Sequence, residues 1–124
     1  MEQWFRKAGY RDVRENANIS QFNKGIGTAD EANRLLDAGY RVCLLISANM
    51  IKYDDQSDKG WGTSKHWVVL RDKIQVMNGN VTTKVYSYGD GDYAIPHPNR
   101  AGEIKPLPVG DFLQNFYGYV AAKA

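Results

Sequence analysis

Cysteine and histidine are both scarce in this sequence of 124 residues. The single cysteine, Cys43, excludes a disulfide within the chain and a cysteine-rich zinc site. The only imidazoles are those of His66 and His97, and no His-Glu-x-x-His pattern occurs, so we predict neither a metal nor a cofactor. With one thiol, folding in a reducing compartment is the simplest expectation, and we predict a protein that is cytoplasmic as made.

Long apolar runs and blocks of one charge are also missing. The longest apolar run, Val42 to Ile46, is too short to cross a bilayer, and the N-terminal residues lack the pattern of a signal peptide. The 16 basic and 14 acidic residues are intermixed, which leaves no electrostatic footprint for nucleic acid. We therefore expect a soluble protein with no membrane span and no nucleic-acid partner.

What the sequence contains fits one globular domain over residues 1–124. A hydrophobic fraction of 43% is ordinary for such a domain, and the length suits one core. Twelve glycines, eight tyrosines and three tryptophans favour a fold rich in strands and turns.

Local signals predict the helices. A short helix near the N-terminus should end at Gly9, and residues 15–27 read as a loop. Thr28-Ala-Asp-Glu31 has the form of a capping box, which predicts a helix over residues 29–38. A last helix is expected over residues 110–116.

Hydrophobic patterns between these helices predict a mainly antiparallel sheet. A strand that is apolar on both faces from Val42 onward should be central, and a long loop over residues 50–65 should cover a cleft. Asn78-Gly79 is a strong hairpin signal, so three consecutive antiparallel strands are expected around it, followed by a closing strand over residues 117–121. The fold class is therefore α+β, with helices flanking the sheet.

The segment Lys65-His-Trp-Val-Val-Leu-Arg71 places a histidine at the start of an apolar strand. Alternation sets His66 on one face with Val68 and Leu70 and sets Trp67 on the other face. Such an imidazole can face a cleft on a rigid backbone, or it can be a structural histidine bonded to a backbone group. Cys43, inside the other apolar strand, is expected to be a small buried hydrophobe without reactivity.

This order of elements, with His66-Trp67-Val68-Val69 as its near-motif, resembles the C-terminal half of papain-like cysteine peptidases. Within that superfamily it is most similar to bacterial bacteriocin-processing peptidases and related secreted effector toxins. The resemblance extends over roughly residues 28–120. It implies a papain-like half-domain, the C-terminal part of a larger papain-like domain or protein.

The resemblance also implies site residues. His66 corresponds to the general base, and Asp90 is the leading candidate for the residue that orients it; Ser87, Asn78 and Asn80 remain alternatives. The place where the family usually has Asp-Pro reads Ser87-Tyr88. The family carries its nucleophilic cysteine at the start of a helix upstream of the histidine, where this chain has none.

Two functions follow from the resemblance. The first is the His-bearing portion of a cysteine hydrolase of peptides or amides, a bacterial effector toxin secreted without a cleavable signal, whose nucleophile lies on an upstream segment. Its partners would be a peptide or protein substrate, an inhibitor, or that segment. The second is an inactive module of the same fold that recognises a peptide or protein.

Overall fold

The computed structural model describes residues 2–17, 25–47, 50–53, 65–87 and 100–123. Within these ranges the chain forms three α-helices and eight β-strands. In chain order they are α1 (Glu2–Lys7), β1 (Asp12–Ala17), α2 (Ile26–Asp37), β2 (Arg41–Ser47), β3 (Ile51–Tyr53), β4 (Lys65–Leu70), β5 (Gln75–Met77), β6 (Asn80–Ser87), β7 (Arg100–Pro108), α3 (Val109–Gln114) and β8 (Phe116–Lys123).

All of the strand pairs are antiparallel, in the order β1-β8-β2-β4-β6-β7-β3, with β5 pairing to β6 at the side. The sheet curls into a half-barrel, with helices packed on it. The prediction of an α+β fold with a mainly antiparallel sheet is confirmed at this level. Strand β2 lies between β8 and β4, which makes it central as its two apolar faces predict.

Two helix-to-strand junctions share the sequence Ala-Gly-Tyr-Arg, at residues 8–11 and 38–41. In each junction the glycine, Gly9 or Gly39, has a positive φ, and its N–H and that of the next tyrosine bond to carbonyls of the last helical turn. This is the Schellman motif, which ends a helix and turns the chain sharply. The predicted ends of both helices are therefore confirmed.

The predicted start of the second helix is wrong. Helix α2 begins at Ile26, three residues before the predicted Ala29, and its N-cap is Gly25 without a side-chain cap. The capping box does not form, because Thr28 lies inside the helix and its N–H donates to the Gly25 carbonyl at 3.0 Å. The Glu31 carboxylate accepts a hydrogen bond of 2.6 Å from the Tyr119 hydroxyl. A contact across 88 positions of sequence has replaced a local one.

The loop predictions are also partly wrong. The N-terminal loop predicted over residues 15–27 is strand up to Ala17 and helix from Ile26, while residues 18–24 lie outside the described part. Strand β3 occupies the beginning of the predicted 50–65 loop, and residues 54–64 of that loop are not described. Strand β7 was not predicted, and its sequence contains Gly102, Pro106 and Pro108, which are residue types depleted in strands. Pro106 is tolerated where the pairing of β7 with β6 shifts register, as expected of proline at a bulge.

The hairpin prediction is right about the turn and wrong about the neighbours. Asn78 and Gly79 both have positive φ, 53° and 78°, which is the backbone of a type I′ turn between β5 and β6. However, β4 pairs with β6 and not with β5, so the three consecutive strands are not laid side by side. Between β4 and β5, the side chain of Asn33 on α2 holds the backbone of Ile74. It accepts from the Ile74 N–H at 2.7 Å and donates to the Ile74 carbonyl at 2.9 Å.

Apolar side chains cover the sheet on both faces. The larger cluster packs α2 and α3 against one face, and its strand residues include Leu44, Ile46 and Val68. The smaller cluster packs Phe5 of α1 against the other face, onto Cys43 and Val69. Helix α3 ends at Gln114, two residues before the predicted end, because Phe116 starts β8 instead; its ring still stacks on that of Phe112 with centroids 5.2 Å apart.

Within the described ranges, no helix is long and apolar enough to span a membrane.

Candidate functional site

His66 is the second residue of β4 and lies at the end of the sheet where β2 finishes. Its backbone is paired with that of Ile46, which pairs on its other side with Phe116. Strand alternation places His66 on the face of Val68 and Leu70, which belong to the larger core. The side chain is half-buried. The imidazole is therefore neither deep in the core nor fully in solvent.

Burial governs the protonation of this imidazole. Desolvation lowers the pKa of His66 below its usual value of 6.5, because burial disfavours the charged form. The neutral form, which can accept a proton, therefore predominates at pH 7.

The ends of β2 and β6 and the start of β8 lie at the same end of the sheet as His66. The N–H of Ser47, the last residue of β2, donates to the carbonyl of Asn115 at the junction of α3 and β8, at 3.1 Å. On the other side of β4, the last residue of β6, Ser87, pairs by its backbone with Val68. The chain thus leaves β6 next to the strand end that carries His66.

The structure separates the candidates for an orienting residue. Asp90, the leading candidate, lies outside the described residues, and only the backbone of Ser87 is described. Asn78 lies in the hairpin turn and Asn80 is the first residue of β6, so both are at the opposite end of β6 from Ser87. A strand of that length separates its ends by about 20 Å. The two asparagines are therefore remote from His66.

Cys43 lies in the interior of β2 and is fully buried between β4 and β8. Burial raises the pKa of its thiol to about 12, so the thiolate needed for nucleophilic attack is absent at neutral pH. The expectation that Cys43 is buried is confirmed by its position.

We expect Cys43→Ala to lower the free energy of unfolding by about 1–2 kcal/mol, because it leaves a small cavity in a packed strand. Urea unfolding measures this change. In the native protein, Cys43 should react with a bulky thiol reagent only as fast as the protein unfolds. Rapid labelling under native conditions would contradict the buried position.

The lowered pKa of His66 predicts how stability depends on pH. Below pH 6.5 the unfolded chain binds a proton at this residue more readily than the folded protein does, so stability is lost as the pH falls from about 7 toward the folded-state pKa. His66→Gln should flatten this part of the profile, and His97→Gln should leave the contribution of His66 in place. Urea unfolding between pH 5 and 8 measures it; equal profiles for His66→Gln and wild type would contradict the prediction.

A second group of polar side chains, which the sequence analysis did not predict, lies at the opposite end of β2 from His66. It lines a pocket of about 540 Å³ and includes Arg14, Glu31, Arg34, Tyr40, Tyr119 and Lys123. These residues come from β1, α2, β8 and the position just before β2. No local pattern in the sequence signals such a site, since the pairing of β1 with β8 brings residues together from opposite ends of the chain.

Among the residues that the structure describes, no three His, Cys, Asp or Glu side chains are grouped so that they could hold a metal ion.

Comparisons with models of protein families, with curated proteins and with solved structures found no match to this chain.

Proposed function

We propose that this chain is the His-bearing portion of a papain-like cysteine hydrolase, with the sheet as its papain-like half-domain and His66 as the general base. The observation that carries the proposal is the position of His66. It is the second residue of an interior strand, is half-buried, and has a pKa lowered by burial. A general base must be neutral at working pH and held on a rigid element, and this position supports both requirements.

The pairing of β4 with β6 supports Asp90 as the residue that orients the imidazole. His66 is two residues from Val68, whose backbone pairs with Ser87. Asp90 follows Ser87 by three residues, and three residues of chain can reach at most about 10 Å. The chain from Ser87 is therefore short enough to keep Asp90 within about 10 Å of the strand end that carries His66. Its carboxylate would hold one ring nitrogen while the other accepts the proton of a thiol.

The reaction needs a thiol that Cys43 cannot supply, since that thiol is buried and has a raised pKa. We place the nucleophile on a segment outside residues 1–124. Its proton would pass to His66, and the thiolate would attack the carbonyl carbon of a peptide or amide. The imidazolium would then protonate the leaving amine, and water would release the acyl group. A secreted bacterial effector toxin is the setting that this proposal favours, with an inhibitor protein as a further partner.

The alternative is a module of the same fold that binds a peptide or protein without chemistry. The burial of Cys43, the only thiol in the sequence, specifically favours it. The two functions differ in whether any cysteine outside residues 1–124 reacts under the control of His66.

The first test compares residues 1–124 with the natural gene product in a peptide-hydrolysis assay. Residues 1–124 alone should be inert, because a base without its nucleophile loses nearly all rate enhancement. Hydrolysis by the natural gene product that is lost in its His66→Ala variant supports the hydrolase. Turnover by residues 1–124 that is abolished by Cys43→Ser would contradict the assignment of the nucleophile. Binding of a peptide without any hydrolysis would favour the module.

A further inference from the structure

Three cationic side chains from three different elements border the pocket at the start of β2. Arg14 comes from β1, Arg34 from α2 and Lys123 from β8, and all three are exposed. Arg14 and Lys123 both approach the ring of Tyr40, with 5.2 Å from the guanidinium carbon and 5.5 Å from the ammonium nitrogen to the ring centroid. Two of the three cations thus lie over one aromatic ring.

The acidic groups of this region are held by tyrosine hydroxyls. Tyr119 donates to Glu31 at 2.6 Å, and Tyr40 donates to Asp12. Burial and the Glu31 carboxylate raise the pKa of Tyr119 to about 12, so its hydroxyl remains a donor throughout the neutral range. Each carboxylate therefore already has a hydrogen-bond partner within the fold.

The cations are less completely satisfied than the carboxylates. Lys123 donates to the Ala38 carbonyl, a neutral acceptor, at 2.9 Å. Arg14 shares Asp12 with Tyr40, at 3.4 Å from its Nε. Within the described part of the chain, no carboxylate forms an ion pair with Arg34 or Lys123. Positive charge is therefore in excess at the border of the pocket.

We propose that this pocket binds the phosphate group of a small phosphorylated ligand. Its lining has three cations and one carboxylate, a net charge of +2 that becomes +1 when Asp12, which pairs with Arg14, is included. A phosphate monoester carries about −1.5 to −2 at pH 7. The two guanidinium groups can each offer paired N–H donors to phosphate oxygens. A volume of about 540 Å³ is within the usual range for small-molecule sites and leaves room for an organic group beside the phosphate.

The site is independent of the proposed hydrolase. Tyr40 precedes the first residue of β2, whereas His66 pairs with Ile46 near its last residue. A β-strand of this length holds the two ends about 20 Å apart. Binding in the pocket can therefore be tested on residues 1–124 without any catalytic readout.

NMR titration of residues 1–124 with inorganic phosphate is the test, with acetate at equal ionic strength as the comparison. Phosphate should shift the signals of Tyr40 and Tyr119 in a saturable way, with a Kd in the millimolar range or tighter, and acetate should bind more weakly. Arg34→Gln should weaken phosphate binding by about tenfold, because one charge-assisted pair of donors is lost. Since Arg34 is exposed on α2, the variant should remain folded.

Lys84→Gln is the matched control. Lys84 is an exposed cation on β6 that does not line the pocket, and its replacement removes the same charge. Affinity for phosphate should be unchanged in this variant. The proposal is overturned if phosphate does not bind, if Lys84→Gln weakens binding as much as Arg34→Gln does, or if acetate binds as tightly as phosphate.

Discussion

Replacing Gly118 with alanine is expected to lower the free energy of unfolding by about 3–6 kcal/mol. Gly118 lies in β8, between β1 on one side and β2 on the other, and its φ is +121°. Residues with a side chain rarely adopt this conformation. The register of β8 with β2 also shifts here, between Leu45 and Ile46, so the glycine belongs to a bulge in the middle of the sheet.

The clash made by a methyl group adds to this conformational cost. A Cβ at residue 118 would lie 1.9 Å from the carbonyl oxygen of Asn16 and 2.5 Å from the Cα of Ala17. Both are backbone atoms, so they cannot rotate away as a flexible side chain can. Strand β1 would have to separate from β8, which loses hydrogen bonds at the edge of the sheet. Single domains are stable by about 5–15 kcal/mol, so this loss would remove a large share of the stability.

Gly110→Ala is the control for this substitution. Gly110 lies in α3, and a Cβ there would meet no atom within 4 Å. Alanine is preferred to glycine inside a helix by 0.5–1 kcal/mol, so this variant should be as stable as wild type or slightly more so. Urea unfolding measures both variants. A loss below about 1 kcal/mol for Gly118→Ala would show that β8 does not take this path between β1 and β2.

The second large effect concerns the rate of hydrolysis. In the natural gene product, His66→Ala is expected to lower kcat/KM for a peptide substrate by at least about 1000-fold, because a thiol loses its proton acceptor. A histidine that only supports the fold would instead change stability and leave the rate per folded molecule nearly intact. The rate must therefore be normalised to the folded fraction, measured by circular dichroism on the same samples.

Two further variants separate the roles in this assay. Cys43→Ala should keep the wild-type rate, since its buried thiol has no part in the proposed reaction. Asp90→Asn should lower the rate but less than His66→Ala does, because an amide oxygen can still accept from the imidazole while the negative charge is lost. If Asp90→Asn has no effect, the orienting residue is a different one.

Local patterns predicted those parts of the fold that depend on neighbouring residues. Gly9 and Gly39 ended their helices as predicted, since the turn that ends the helix itself requires a positive φ at this position. The Asn78-Gly79 turn was predictable for the same reason. The central position of β2 followed from its two apolar faces.

Parts of the fold that depend on distant residues were not predicted. The Thr28-to-Glu31 capping box is locally favourable, yet Glu31 bonds to Tyr119 of β8 instead. Strand β7 contains Pro106, which a propensity argument excludes from a strand and which a bulge accommodates. Strand β4 pairs with β6 and not with β5. Alternation of apolar and polar residues predicts that a segment is a strand, but it does not specify which strand lies beside it.

The candidate site likewise has features that local patterns predict and features that depend on distant residues. The strand that carries His66, and the face that this residue shares with Val68, follow from alternation in a short segment. The lowered pKa of His66 depends on how much of the half-barrel covers it, which no local pattern contains. The cations Arg14, Arg34 and Lys123 meet only because β1 and β8 pair beside α2, so the sequence analysis missed them.

The central claim is that His66 activates a thiol located outside residues 1–124. The most direct measurement is labelling of the natural gene product with an irreversible thiol-directed electrophile, followed by mass spectrometry to locate the modified cysteine. We expect one rapidly labelled cysteine outside residues 1–124, a rate that falls at least tenfold in His66→Ala, and no native labelling of Cys43. Labelling of Cys43 in the folded protein, or a rapid rate that His66→Ala leaves unchanged, would contradict the claim.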